Sequence, residues 1–174
     1  MKRVLLLLLL AVAHCGFAMD LVTPSGKLQG ALSSRATDIA VFKGIPYAIA
    51  PIGARRWTYA EAHRGWQGVR NAGRFSPACA QHPYPEGSFF ARSSEPTSED
   101  CLYLNVWSSL PEGEALPVMV WIHGGALTRG SGSAATYDGT ELAKKGVVLV
   151  TINYRLGVFG YMAHPELSAE VRSN

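Results

Sequence analysis

The chain reads as an α/β protein, with a small antiparallel sheet at its N-terminus leading into a mostly parallel central sheet. Three stretches carry that expectation. Val118 to Ile122 is an apolar, β-rich run, preceded by Pro117 and followed by the glycine pair Gly124-Gly125, so it reads as an inner, buried strand. Asp138 to Lys145 has helical composition, with Leu142 and Ala143 as its apolar positions and Gly146 placed to stop it. Val147 to Ile152 is a second run, apolar apart from Thr151. Strand, helix and strand in that order make a βαβ unit, which demands a parallel pair covered by a helix.

The N-terminus has the make-up of a secretory leader. Lys2 and Arg3 form a basic start, Val4 to Val12 is unbroken apolar sequence, and Gly16-Phe17-Ala18 supplies small residues for cleavage after Ala18. The apolar run is too short to cross a bilayer as a mature helix. Lipidation at Cys15 is the competing reading, and His14 fits a small-residue cleavage box poorly. A secreted or periplasmic location follows, with residues 1–18 as the leader and 19–174 as one domain segment. The chain carries 16 Lys and Arg against 13 Asp and Glu. Lys2 and Arg3 leave with the leader, so the mature part is nearly neutral. No basic patch points to nucleic acid, and no second apolar stretch points to a stable membrane span.

Once Cys15 is removed, Cys79 and Cys101 remain as an even pair in an exported chain. They read as one disulfide, with two free buried thiols as the alternative. In the chain-entropy picture, closing a loop of this size is worth about 3 kcal/mol.

Along the mature chain, residues 20–50 suggest short antiparallel strands. Pro24-Ser-Gly-Lys27 is a turn, and Ile39 to Phe42 is a strand ended by Lys43-Gly-Ile-Pro46. Residues 50–100 are rich in Pro, Gly and Arg and keep no sustained period. They read as an irregular surface segment that is functional or covers a site. The parallel part is expected from Cys101 onward, beginning with the strand Leu102 to Trp107.

Chemistry concentrates at Gly124-Gly125. A glycine pair at the end of a strand turns the backbone sharply and presents N–H groups able to hold a developing oxyanion. His123 is an imidazole next to that turn and invites a general-base role; a structural position is the competing reading. His63, His82 and His164 have no metal-type spacing to one another or to the cysteines, and no metal or organic cofactor is implied. Gly130-Ser-Gly-Ser-Ala-Ala135 imitates a dinucleotide fingerprint, but the strand ends too early and no acid follows near position 155. Its small residues read instead as close packing beneath the turn, with Ser131 and Ser133 as loop serines. Glu99 and Asp100 are neighbours in an extended chain and point apart. A structural salt bridge from Glu99 to Arg155 or Arg55 is the expectation.

Four stretches in order resemble the type-B carboxylesterases, the family that includes cholinesterases and the non-catalytic neuroligins. They are Phe42-Lys-Gly-Ile-Pro-Tyr-Ala48, Ser98-Glu-Asp-Cys-Leu-Tyr-Leu-Asn-Val106, Val118 to Ala126, and Val147 to Gly160 with Asn153-Tyr-Arg-Leu-Gly157. The resemblance implies the N-terminal part of an α/β-hydrolase fold and hydrolysis of small-molecule carboxylic esters by a serine, an acid and a histidine. It assigns the oxyanion N–H groups to Gly125 and Ala126, with Gly124 in the same loop, and makes His123 structural. No glycine here has a serine two residues on, so the G-x-S-x-G elbow is missing from these 174 residues. The chain is therefore expected to be a truncated portion of a longer protein and inactive by itself. A non-catalytic binding domain, or a truncated pseudo-enzyme, is the alternative, although the absence of any Asn-x-Ser/Thr sequon speaks against the adhesion role. In cholinesterases a tryptophan of the disulfide loop stacks on choline. None stands between Cys79 and Cys101, which argues against choline esters; Tyr84, Phe89 and Phe90 sit inside that loop, and the two phenylalanines line an acyl or alcohol pocket or pack the loop.

Overall fold

The computed structural model describes residues 18–85, 87–88, 95–109 and 115–170. Three strands open the fold: β1 (Ala18–Thr23), β2 (Gly26–Ser33) and β3 (Ala36–Pro46). They form an antiparallel meander, as the turn residues at Pro24 to Lys27 lead one to expect. β3 does not end at Lys43. It continues to Pro46 through a register shift between Phe42 and Ile45, an irregularity that lets the strand bend without leaving the sheet.

The segment from 50 to 100 is largely irregular, with three short strands: β4 (Val69–Asn71), β5 (Ala78–Cys79) and β6 (Thr97–Ser98). β4 adds to β2 in parallel, and β5 and β6 pair in parallel at the two ends of the disulfide loop. Phe89 and Phe90 lie outside the described residues, as do residues 1–17 of the leader; Ala18 begins β1.

Next come β7 (Tyr103–Ser109), β8 (Val118–Ile122), α1 (Thr140–Ala143) and β9 (Val148–Ile152), followed by the short helices α2 (Gly157–Tyr161) and α3 (Pro165–Glu170). The βαβ unit is present: β8 and β9 pair in parallel from Val118–Val148 to Ile122–Ile152, and α1 joins them. Gly146 ends the helical turn in the left-handed region at φ 78°.

Two expectations need correction. The sheet is mixed rather than parallel from Cys101 onward, because β7 runs antiparallel to both β3 and β9. Among the described residues its order, β1-β2-β3-β7-β9-β8, also places β9 inside and β8 at the edge. The apolar run Val118 to Ile122 is thus the exposed one, each residue between 42% and 64% exposed on both faces. Apolar composition alone could not rank two such runs; the antiparallel return of β7 onto β9 decided it.

Core packing follows the two-residue period of β3. Ile39 and Val41 face Trp107, Leu149 and Ala143 of α1, while Ala40 and Phe42 face Leu28 and Ala72 on the opposite side. A third cluster joins Cys79, Cys101, Leu102 and Leu156, so the cysteine pair lies in apolar packing, 2% and 1% exposed. α1 is fastened at its start, where Thr140 N–H donates to Asp138 Oδ1 at 3.0 Å and the Thr140 hydroxyl pairs with Ser33 Oγ at 2.7 Å.

Candidate active site

β8 runs directly into the turn at Gly124 to Gly130. Gly125 has φ 123°, and Ala126 and Leu127 follow at 53° and 61°, so three successive residues take left-handed backbone. Only glycine fits at 125: a Cβ there would stand 1.9 Å from the Arg129 carbonyl oxygen. The turn closes on the Gly125 carbonyl, which accepts from Thr128 N–H at 3.1 Å, Arg129 N–H at 3.2 Å and the Thr128 hydroxyl at 3.1 Å. All the bonding inside the turn goes to carbonyls. Among the described residues, none of the N–H groups of Gly124, Gly125 and Ala126 donates a hydrogen bond. Gly124 and Ala126 are exposed, and a Cβ at Gly124 would meet nothing within 4 Å. The turn therefore leaves these three N–H groups without a partner among the described residues, at the end of a strand.

His123 lies behind the turn, not in it. Its ring is 3% exposed and stacks on Tyr154 at 4.4 Å. Nδ1 lies 2.9 Å from the Gly124 carbonyl, which only accepts, so the proton sits on Nδ1. Nε2 is buried with no partner among the described residues. Burial holds the imidazole pKa below its ordinary value, with the Gly124 bond opposing in part. Gly130 packs against the same ring, since a Cβ there would lie 2.4 Å from Nδ1. The geometry makes His123 a neutral spacer between the two limbs of the turn.

Beneath the turn, the fingerprint-like segment is packed rather than open. Ser131, Gly132 and Ser133 are buried, and Gly132 presses on the Ile152 backbone. No long helix opens there; a single 3₁₀ turn occupies Ala135–Tyr137. Ser131 and Ser133 bond each other at 2.6 Å. Asn153, named in the sequence only as part of a motif, organises this floor. Its Oδ1 accepts from Gly132 N–H at 2.8 Å, and its Nδ2 donates to Pro77 O at 3.1 Å. The chain of bonds continues through Thr151 Oγ1, which donates to Gly132 O at 2.8 Å and accepts from Asn105 Nδ2 at 2.9 Å.

Cys79 and Cys101 are joined by a disulfide. Two residues beyond Cys79, Gln81 reaches the turn: Gly130 N–H donates to its Oε1 at 2.7 Å, and its Nε2 donates to Gly130 O at 2.8 Å. Tyr84 lies under the Arg129 guanidinium, 5.4 Å from ring centre to Cζ. Sequence inspection missed Gln81, because a lone amide in an irregular segment has no periodic or motif signal; Asn153 stood inside a motif, but its role as the floor's organiser did not show there.

The expected partners of Glu99 are corrected. Its carboxylate takes a forked bond from Arg56, with Nε at 2.6 Å, which holds the carboxyl below its usual range. Arg55 instead pairs with Glu61 at 3.1 Å, and Arg155 donates to Thr58 O at 2.9 Å. Asp100 accepts from the Tyr103 hydroxyl at 2.9 Å. Among the described residues, no group of three or more His, Cys, Asp or Glu is placed to hold a metal, and no helix is long and apolar enough to cross a membrane.

Residues 19–174 match the Carboxylesterase family. The chain belongs to that family. Among carboxylesterase relatives, it is 48% identical to the Fumonisin B1 esterase of Sphingopyxis macrogoltabida, over 85% of this chain and 26% of that protein. It is 42% identical to the Para-nitrobenzyl esterase of Bacillus subtilis (strain 168), over 80% of this chain and 28% of that one. A solved carboxylesterase of Geobacillus stearothermophilus superposes with a TM-score of 0.71 at 47% identity, covering 82% of this chain and 27% of the other. The chain thus spans little more than a quarter of these carboxylesterases, and its fold is the N-terminal part of an α/β-hydrolase.

Proposed function

We propose that this chain supplies the oxyanion-binding segment of an exported carboxylic ester hydrolase whose nucleophile is a serine outside these 174 residues. One observation carries the reading: the N–H groups of Gly124, Gly125 and Ala126 donate no hydrogen bond among the described residues, although the carbonyls around them are engaged. Unengaged amides stabilise a carbonyl oxygen as it gains negative charge, because they need no reorganisation when the charge forms. Gly125 and Ala126 are the two donors, and Gly124 shapes their approach. One such donor is typically worth roughly 3 kcal/mol of transition-state stabilisation. His123, neutral and enclosed, spaces the turn and does not serve as the base. Ser131 and Ser133 are buried away from the amides and are not nucleophiles. The substrate is a small-molecule carboxylic ester, and the buried cysteine bridge suits the oxidising compartment to which the leader would send the chain.

The test has two arms. The 174-residue chain alone is expected to show no turnover of nitrophenyl esters. A chimera in which residues 19–174 replace the matching segment of the Bacillus subtilis para-nitrobenzyl esterase is expected to turn them over. Gly125→Ala in that chimera, which drives the Arg129 carbonyl out of place, should lower kcat by roughly 10²- to 10³-fold and leave KM within a few-fold. A chimera as active with Gly125→Ala as without it would remove the oxyanion role.

A further inference from the structure

The geometry points to Gln81 as a positioning residue for the oxyanion turn: its carboxamide stands in for a neighbouring strand at Gly130 and ties the returning limb of the turn to the disulfide-anchored segment. The inference rests on the proposed role of that turn, and it concerns what holds the amides in place, not what they bind.

A primary carboxamide has the same donor and acceptor pair as a peptide group. Oε1 takes the Gly130 N–H at 2.7 Å and Nε2 gives to the Gly130 carbonyl at 2.8 Å, the reciprocal pairing that one strand residue offers another. The second proton of Nε2 goes to Cys79 O at 2.9 Å. Both Nε2 protons and Oε1 are thus engaged, which fixes the side chain in one orientation. Cys79 in turn cannot drift, because it is buried and covalently joined to Cys101 at the foot of β7.

The placement matters because Gln81 holds Gly130 itself, between the middle of the turn, where Gly157 N–H donates to Leu127 O at 2.7 Å, and the floor, where Asn153 and Thr151 hold Gly132. The near end of the turn is continuous with β8 and braced by the His123–Tyr154 stack. The far end carries Gly130, packed against the His123 ring and the Gly124 carbonyl without room for a Cβ. If Gly130 moves away, that contact opens, and the Arg129 and Thr128 amides that close on the Gly125 carbonyl move with it. The position of the Gly125 and Ala126 N–H groups therefore depends in part on residue 81, which lies 49 positions earlier in the chain. Asparagine would be one methylene too short, and glutamate would keep the acceptor while losing both donors when ionised.

Amide NMR on the oxidised chain tests this. In Gln81→Ala, the Gly130 amide should exchange with solvent roughly five- to ten-fold faster, the equivalent of one to two neutral hydrogen bonds. The Gly125 and Ala126 signals should shift or broaden, while the amides of Leu149 and Thr151 in β9 stay as in the unaltered chain. Gln81→Glu gives a second readout. Protonated, its carboxyl can both accept from and donate to Gly130, so the turn signals should match the unaltered chain at acid pH and depart along one titration curve as the carboxyl ionises. Among the described residues, His123, Tyr154, Tyr84 and Arg129 are the titratable or charged groups around the turn. Running the unaltered chain in parallel subtracts their contribution, and Gln81→Glu carries the test if Gln81→Ala fails to fold. Unchanged Gly130 exchange with unmoved Gly125 and Ala126 signals in Gln81→Ala would overturn the proposal, as would a pH-independent turn in Gln81→Glu. No ester enters the measurement, so it stands or falls separately from the catalytic reading.

Discussion

Tyr154 lies face to face with His123, ring centroids 4.4 Å apart and planes 19° from parallel, and its hydroxyl donates to the His123 carbonyl at 2.6 Å. The pair holds the end of β8 against the loop that follows β9, so the turn springs from a fixed point. The same enclosure keeps the imidazole neutral.

A pH dependence follows from that enclosure. The folded imidazole has a pKa below its ordinary value, so below about pH 6.5 the unfolded chain binds a proton that the folded chain does not. Stability contributed by neutral His123 is full above that pH and is lost as pH falls toward the lowered folded value. His123→Phe, which keeps a ring against Tyr154, should flatten the slope of melting temperature against pH between 7 and 5.5, roughly the range of the effect. An equal slope in both proteins would mean that another group titrates. The Glu99–Arg56 pair acts in a separate, more acid window, because its carboxyl is lowered and its stabilisation fails only as that carboxylate is protonated.

The two glycines of the turn should respond oppositely to a methyl group. Gly124→Ala meets open space and should shift stability by less than about 1 kcal/mol. Gly125→Ala meets the Arg129 carbonyl and a φ of 123°, and should cost about 2–4 kcal/mol. Chemical denaturation of both variants decides it; equal losses would mean that the turn has room it is not shown to have.

Replacing Cys79 and Cys101 together with serine should lower stability by about 3 kcal/mol or more, since a loop constraint is lost and two hydroxyls enter an apolar cluster. Denaturation of the oxidised chain, the reduced chain and the double variant separates the constraint from the polarity. A reduced chain as stable as the oxidised one would show that the bridge is ornamental to folding.

β8 is an apolar edge with both faces exposed, a ready template for pairing with another chain. The chain should therefore self-associate as its concentration rises. Val120→Lys, a charge in the middle of that edge, should shift the sedimentation profile toward monomer. A monomer at all concentrations without the substitution would refute the assignment of this edge.

Much of this was legible in residues. Val118 to Ile122, Val147 to Ile152, the helical stretch between them and the stop at Gly146 all correspond to observed elements, because periodicity and backbone chemistry are local. The pairing of Cys79 with Cys101 was legible by elimination, and family membership by four ordered motifs. The partner of Glu99 was not. Arg55, Arg56 and Arg155 are chemically equal in the sequence, and only the path of the irregular segment brings Arg56 to the carboxylate.

The sequence by itself determined where strands and turns begin, that a glycine pair ends the run at Ile122, and to which family the chain belongs, since each depends on a residue and its immediate neighbours. Tertiary structure alone decided that, among the described residues, β9 is interior and β8 lies at the edge, that β7 returns antiparallel, and that Gln81 closes on Gly130. Those facts depend on which distant segments lie side by side. Hydrogen-bonding groups are alike along the whole backbone, so no local pattern marks which partner each will take.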